Sequence, residues 1–260
     1  METIEVTRAG GGIVTVTLNR PEKKNAVNDV MWGELLAALR EIAVSDDRVV
    51  ILTGAGGAFC SGADLSGGGV DGGAQRPHQL AMMRRVGDVA LTLHRLPQPT
   101  IAKVGGVAAG AGANMAFGCD LIVASDEARF TEIFARRGLT IDFGGSWLLP
   151  RLIGLHKAKE LAFFADIISA KEAEAFGLVN RVVPAGELDA FVDDWAQRLA
   201  AGPPIALAQT KRLLNNAMSV TMEEALDDEG AAQTVNFGTA DTAEAMAAFL
   251  GKRDPRFTGR

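Results

Sequence analysis

The chain has 260 residues, of which 48% are hydrophobic, and a formal net charge of −6. One large domain of this composition can bury a substantial core, whereas the acidic balance disfavours binding to nucleic acid or to a membrane surface, since both need a concentrated cationic face. The only cysteines, Cys60 and Cys119, show no metal-ligand spacing, and no uncharged apolar segment is long enough for a membrane span. We therefore expect a soluble cytoplasmic protein without a disulfide scaffold or a bound metal.

The first part of the chain predicts alternating strands and helices. Residues 3–8 and 13–18 alternate β-forming residues around three glycines, which is typical of a hairpin. Residues 28–44 carry apolar side chains at helical spacing, and the apolar run 49–53 is typical of a buried strand. Further strands are predicted over residues 100–104, 121–124 and 179–183. This order favours the α/β class.

The last part of the chain is rich in alanine and predicts a series of helices. The predicted helices cover residues 186–201, 203–217, 221–236 and 240–252. The pair Pro203-Pro204 marks the start of one of them, because proline is tolerated in the first helical turn. We therefore expect residues 1–200 to form the binding and catalytic core and residues 201–260 to form a C-terminal helical region.

Two turns rich in glycine and alanine follow predicted strands, at residues 56–65 and 105–118. Small residues let a ligand approach the backbone, and a helix beginning near Gly110 would add a partial positive charge. Together the two turns could direct bare N–H groups at an oxyanion, although each alone is also typical of close packing. A third glycine-rich segment, from Gly67 to His78, is either a mobile flap or an ordinary surface loop.

Other glycine-based motifs are excluded by spacing. The third glycine of a dinucleotide-binding fingerprint is replaced by Met115, and the chain has no Gly-Lys-Ser/Thr for a phosphate-binding loop. The run from Gly144 to Leu148 does not complete the Gly-x-Ser-x-Gly motif of serine hydrolases. Nucleotide binding of these types and serine hydrolysis are therefore not expected.

Four runs resemble, in order, the hallmarks of the enoyl-CoA hydratase/isomerase (crotonase) superfamily: GGAFCSGADL (56–65) and residues 103–130, 137–154 and 157–184. The resemblance extends from Asn19-Arg20-Pro21 to AFLGKRDPRF near the C-terminus. It implies a crotonase-like spiral of ββα turns with a C-terminal helical trimerisation region. It also implies a homotrimer, commonly paired into a hexamer, that takes coenzyme A thioesters as substrates without a cofactor.

The resemblance implies site residues of two kinds. The two oxyanion N–H donors fall on Ala63 and Ala111, with accessible backbone provided by Gly62, Gly110 and Gly112. The implied contacts to coenzyme A fall on Asp64 and Leu65 in the adenine pocket, Lys24 and Ala26 near the pantetheine and phosphates, and Phe249 and Lys252 on the coenzyme of a neighbouring subunit. The two lysines also fit plain solvated surface charges.

The chain departs from the type hydratase of this family at two positions. That enzyme holds the attacking water with two glutamates, and the resemblance places Asn114 and Phe134 at those positions. Neither an amide nor a phenyl ring titrates in the useful range. We therefore assign both residues to substrate binding and do not expect two-glutamate hydration.

Asp142 remains as the candidate acid/base, at a position where several isomerases of the superfamily, among them epoxyphenylacetyl-type isomerases, carry a functional aspartate. Apolar neighbours would desolvate its carboxyl group and raise its pKa; the expected pocket comprises Phe134, Ile141, Phe143 and Trp147. Capping of a helix that begins near Gly144 is the alternative role for this aspartate.

A second carboxylate, Glu132, lies nearby in the sequence. A direct role in the reaction is open for it, but we favour a position that faces solvent, because glutamate usually does.

One carboxylate and one oxyanion hole suffice for a 1,3-proton shift, in which the base removes an acidified proton and returns it to another carbon. The sequence therefore predicts an acyl-CoA enzyme that shifts double bonds. Hydration without the two usual glutamates and a catalytically silent acyl-CoA-binding scaffold remain alternatives. A dehalogenase-like role with Asp142 as nucleophile is disfavoured, because it needs an aromatic benzoyl pocket.

Overall fold

The computed structural model describes residues 1–65 and 78–260. Strands β1 (Ile4–Arg8) and β2 (Ile13–Leu18) pair antiparallel, and the glycines that join them, residues 10–12, all have positive φ. The predicted hairpin is confirmed. Helix α1 (Asp29–Ala43) follows, with its first turn capped by Asn28, and leads into β3 (Val49–Gly54).

Six further strands follow in the described residues: β4 (Thr100–Val104), β5 (Val107–Ala109), β6 (Leu121–Ser125), β7 (Arg129–Thr131), β8 (Ile168–Ser169) and β9 (Arg181–Val183). The central sheet has six strands in the order β1-β2-β3-β4-β6-β9, and every pair after the hairpin is parallel. Strand β9 begins two residues later than predicted. The Ile122 N–H of β6 donates to the Asn180 side-chain oxygen at 2.7 Å, and not to a backbone carbonyl of the neighbouring strand.

Helices cover both faces of this sheet. Alternate residues of β3, such as Val50 and Leu52, face the larger core with α1 and with α2 (Gln79–His94). Val49 and Ile51 face a second core formed with α6 (Leu188–Ala200). A strand buried on both faces in this way reads as a continuous apolar run, which is why 49–53 was recognisable in the sequence.

Three further helices lie between the strands: α3 (Ala111–Phe117), α4 (Gly145–Phe164) and α5 (Ala170–Phe176). Helix α4 is interrupted at Gly154, where φ is 73° and ψ is 160°. The strands β5, β7 and β8 form a small separate sheet, with β5 and β7 parallel. This small sheet was not predicted, because strands of two or three residues leave no periodic signal.

The C-terminal part consists of α7 (Pro204–Asn216), α8 (Met222–Phe237) and α9 (Ala240–Leu250). Pro204 occupies the first turn of α7, and a Thr221/Glu224 capping box begins α8. The α/β class and the C-terminal helices are thus confirmed, while the division at residue 200 and the trimerising role of the helices stay predictions. No helix in the described ranges has the length and apolar character needed to cross a membrane.

Candidate active site

The two glycine-rich turns lie side by side. Val107 O accepts hydrogen bonds from the N–H groups of Phe59 and Cys60, both at 3.0 Å, and Cys60 O accepts one from Ala109 N at 2.9 Å. These bonds form a parallel bridge between Cys60 and Ala108. The end of the first turn therefore faces the beginning of α3.

Two N–H groups at this junction, those of Ala63 and Ala111, have no acceptor within residues 1–65 and 78–260. Ala63 pairs with Val27 in a parallel bridge, in which Val27 N donates to Gly62 O at 2.8 Å and Asp64 N donates to Val27 O at 2.9 Å. The Ala63 N–H takes no part in that bridge. Ala111 is the first residue of α3, where an N–H group has no intrahelical partner.

Glycine is required at two points of this junction. Gly62 has φ of 95°, and a Cβ there would lie 2.9 Å from Ala109 O. Gly110 has φ of 53°, and a Cβ there would lie 3.3 Å from Ile133 Cγ2 and 3.5 Å from Phe134 Cζ. Both conformations are costly for any other residue, so these glycines keep the backbone of the junction uncovered.

The turn that contains Lys24 is fastened to the first glycine-rich turn. Lys24 is exposed with φ of 50°, and its carbonyl accepts the Ser61 N–H at 3.0 Å. Arg20 donates to Asp64 Oδ2 at 2.8 Å and to Ala26 O at 2.6 Å. Asp64 is therefore held in an ion pair beside the Ala63 N–H. The neighbouring Leu65 is 58% exposed.

A polar cluster of Asn114, Glu132 and Asp142 lies beside the first turns of α3. The Asn114 amide nitrogen Nδ2 donates to Glu132 Oε2 at 3.2 Å and to the Asp142 carbonyl oxygen at 3.0 Å. Asn114 is fully buried, and Glu132 is only 3% exposed. One amide thus joins the residue that we identified as the candidate base to a carboxyl group that we expected in solvent.

The expectation that Glu132 faces solvent is wrong, and the small sheet explains why. The pairing of β5 with β7 aligns Ala109 with Thr131, and Thr131 O accepts the Gly110 N–H at 2.8 Å. The residue that follows Thr131 is thereby held against α3. No local sequence signal marks this contact, because it depends on a pairing between two three-residue strands.

Each member of the cluster has one buried oxygen without a hydrogen-bond partner among the described residues: Asn114 Oδ1, Glu132 Oε1 and Asp142 Oδ1. Burial raises the pKa of Glu132 to about 8; the hydrogen bond from Asn114 opposes this shift, and the nearby charge of Asp142 adds to it. Burial also raises the pKa of Asp142 to about 6. Such values suit groups that exchange protons near neutral pH.

Asp142 does not cap α4, so the alternative role considered for it is wrong. The N-cap position is Gly144, with φ of 81°, and no side chain caps the first turn. The Asp142 backbone carbonyl accepts the Gly145 N–H at 3.0 Å, which leaves the carboxyl group uncommitted. Helix capping therefore does not account for a buried aspartate at this position.

The four apolar residues expected around Asp142 have different surroundings. Phe143 is buried and stacks on Trp32 with ring centroids 5.7 Å apart, and Trp147 meets His94 edge-on at 5.2 Å. Phe143 and Trp147 line a cavity of about 1000 Å³ between α2, α4 and α7, to which Phe134 and Ile141 do not contribute. Phe134 packs against the Gly110 backbone instead, and Ile141 packs against the larger core.

Two remaining predicted contacts, Phe249 and Lys252, lie at the end of α9. Phe249 is 80% exposed, and Lys252 follows the helix with φ of 51° on the surface. Both side chains are therefore accessible to a second molecule, while the other predicted residues lie around the two turns and the cluster.

Comparisons of the sequence and of the fold with known proteins all lead to the same family. The sequence model of the enoyl-CoA hydratase/isomerase family matches residues 8–260. The chain is 39% identical to the 1,2-epoxyphenylacetyl-CoA isomerase of Escherichia coli K12 over 251 residues, which cover 96% of each protein. It is 37% identical to the short-chain-enoyl-CoA hydratase of Clostridium acetobutylicum over 250 residues, which cover 94% of this chain and 93% of the relative. Its fold superimposes on the enoyl-CoA hydratase of Bacillus anthracis with a TM-score of 0.91, at 32% identity, over 99% of this chain and all of that one.

Proposed function

Because the chain belongs to the enoyl-CoA hydratase/isomerase family, we propose that it binds an acyl-CoA thioester and shifts a double bond with Asp142 as the acid/base. The observation that carries the proposal is the Asp142 carboxyl group. This group is half-buried, has no capping role, and has a pKa raised to about 6 by burial. The backbone carbonyl of the same residue is joined through Asn114 to the helix that begins with Ala111.

In the proposed complex the thioester carbonyl oxygen lies between the N–H groups of Ala63 and Ala111. Both N–H groups lack acceptors in the described part of the chain, and the second lies at the positive end of α3. Negative charge that develops on the oxygen is stabilised by such preorganised donors. Gly62 and Gly110 support this role by leaving the backbone uncovered.

The proposed reaction is balanced within the substrate and one side chain. The Asp142 carboxylate takes a proton from the carbon at one end of the allylic system, and the C–H electron pair moves into the conjugated thioester enolate. The enolate then collapses, and the carboxylic acid returns the proton to the carbon at the other end. The double bond has moved by one position, and the aspartate is again ionised.

Hydration is the second candidate, and Glu132 is the observation that favours it. A second buried carboxyl group beside Asp142 could hold an attacking water even though Asn114 and Phe134 cannot act as acids or bases. The two reactions differ in their products, because hydration yields a 3-hydroxyacyl thioester and isomerisation yields an isomer of unchanged mass.

A panel of 2-enoyl-, 3-enoyl- and dienoyl-CoA thioesters, analysed by mass and by the position of the double bond, tests the proposal. We expect an isomer of unchanged mass from the parent and a loss of ~10²-fold or more for Asp142→Asn, the usual contribution of a positioned general base. Binding of the thioester should survive, because the amide keeps the size of the carboxylate. A catalytically silent scaffold would bind every thioester and convert none.

We also propose that the chain assembles into trimers through its C-terminal helices, with Phe249 and Lys252 reaching the coenzyme bound to a neighbouring subunit. Large apolar side chains are exposed on these helices, including Met222, Phe237, Met246, Phe249 and Leu250. Apolar surface of this extent is typical of an interface. Light scattering at micromolar concentration should give the mass of a trimer or hexamer, and a monomer would contradict the proposal.

A further inference from the structure

The proposed reaction needs one carboxylate, yet the cluster contains two carboxyl groups. Glu132 is more deeply buried than Asp142, and it begins the short 3₁₀ helix Ile133–Arg137 without capping it. Its only hydrogen bond within the described residues is the one from Asn114. A buried carboxyl group with a single hydrogen bond is costly to keep, so we expect it to have a function that explains its burial.

The hydrogen-bond inventory of the cluster argues against two ionised carboxylates. Asn114 Oδ1, Glu132 Oε1 and Asp142 Oδ1 are all buried acceptors without a donor. Ionised carboxylates are acceptors only, whereas a protonated one carries an O–H donor. Buried acceptors are normally satisfied, so a proton on one of the two carboxyl groups removes part of the deficit and all of their mutual repulsion.

Burial decides which of the two groups keeps the proton. Glu132 is 3% exposed, while Asp142 retains partial access to solvent, and the charged form is disfavoured more strongly at the deeper group. The nearby charge of Asp142 also favours the protonated form of Glu132. The nearest arginine along the chain, Arg136, is exposed and pairs with Asp166 at 2.7 Å.

We propose that Glu132 is a positioning residue that stays neutral while the site works: it holds the Asn114 amide and leaves Asp142 as the only anion of the cluster. This inference rests on the function proposed above. Asn114 in turn holds the Asp142 backbone at 3.0 Å, so the neutral glutamate orients the base through one amide.

Ionisation of Glu132 then switches the site off. An additional buried negative charge beside Asp142 opposes the build-up of negative charge on the thioester oxygen. The site is therefore active between the ionisation of Asp142, near pH 6, and that of Glu132, near pH 8. The profile of kcat/KM against pH should be bell-shaped, with the alkaline limb caused by Glu132.

The variant Glu132→Gln is the direct test, because its amide is permanently neutral and still accepts a hydrogen bond from Asn114. We expect it to lose the alkaline limb and keep the acid limb, with turnover at the optimum reduced by less than the ~10²-fold expected for a lost general base. Glu132→Ala removes the acceptor as well and should lose more turnover than Glu132→Gln. An alkaline limb that persists in Glu132→Gln overturns the proposal. The exposed Glu127 provides the matched control, and Glu127→Gln should keep both limbs.

The infrared absorption of a protonated carboxylic acid provides a readout that needs no activity. The parent should show this band at pH 7 and lose it near pH 8, and Glu132→Gln should lack it at pH 7. A parent without the band at pH 7, or a band unchanged in Glu132→Gln, overturns the proposal. If the parent converts no acyl-CoA thioester, the proposed function fails, and the infrared titration still decides whether Glu132 is neutral.

Discussion

The two sides of the candidate site are built in different ways. The turns that end at Ala63 and Ala111 present backbone N–H groups, and they depend on small residues that leave the main chain uncovered. The cluster of Asn114, Glu132 and Asp142 presents side chains, and its chemistry depends on burial. The exposure of each backbone donor follows from a local pattern of small residues, whereas the burial of a carboxyl group depends on the packing of distant segments.

The largest loss of turnover should follow from removing one of the two backbone N–H donors. Ala111→Pro deletes one N–H at the first position of α3, where proline is otherwise tolerated, and should reduce turnover by ~10²–10³-fold, as the loss of one oxyanion donor does. Ala111→Gly keeps the N–H and should retain most of the rate. Steady-state kinetics on folded protein checks both variants, and full activity in Ala111→Pro would remove Ala111 from the proposed oxyanion hole.

Burial of Glu132 should make the free energy of unfolding, as well as the reaction rate, depend on pH. Between the ordinary pKa of glutamate, 4.5, and the value of about 8 in the folded chain, the folded state keeps a proton that the unfolded chain has released. The free energy of unfolding of the parent should therefore fall as pH rises through this window, by at most ~1.4 kcal/mol per pH unit.

Glu132→Gln has no such proton, so its free energy of unfolding relative to the parent should rise from pH 5 to pH 8. Urea unfolding at several pH values measures this difference. A difference that does not change with pH would show that the glutamate is ionised in the folded state.

A smaller loss of turnover should follow from adding a methyl group to the backbone beside the side-chain cluster. A Cβ at Gly145 would lie 2.6 Å from both Cγ and Oδ1 of Asn114, so Gly145→Ala must displace the amide that joins Glu132 to Asp142. We expect a fall of ~10-fold in kcat and a loss of about 1–3 kcal/mol in stability, typical of overpacking. At the matched control Gly33 a Cβ meets nothing within 4 Å, and Gly33→Ala should be neutral or slightly stabilising.

The smallest loss of turnover should follow from replacing Asn114 itself. Asn114→Ala removes an amide that holds the Glu132 carboxyl group and the Asp142 backbone but moves no proton, so we expect a modest loss of turnover, less than that of Asp142→Asn. Loss of activity equal to that of Asp142→Asn would mean that the amide, and not only the carboxylate, contributes directly to the reaction.

The sequence was informative wherever structure follows from a local pattern. The strand 49–53, the C-terminal helices and the two glycine-rich turns each have a period or a residue type that predicts them. Asp142 was found by resemblance, and its capping alternative could be rejected only once Gly144 was seen at the N-cap. Glu132 was misjudged, since its burial depends on the pairing of β5 with β7. The predicted flap lies, apart from His78, outside the described residues.

Proton transfer by Asp142 can be observed directly in deuterated water. A 3-enoyl-CoA incubated with the parent should become a 2-enoyl-CoA in which solvent deuterium enters the carbon that receives the proton, as seen by NMR, because the proton held by the Asp142 carboxyl group exchanges with solvent before the bound enolate collapses. Asp142→Asn should bind the same thioester and incorporate deuterium at least ~10²-fold more slowly. Incorporation at the parent rate in folded Asp142→Asn would contradict the assignment of Asp142 as the base.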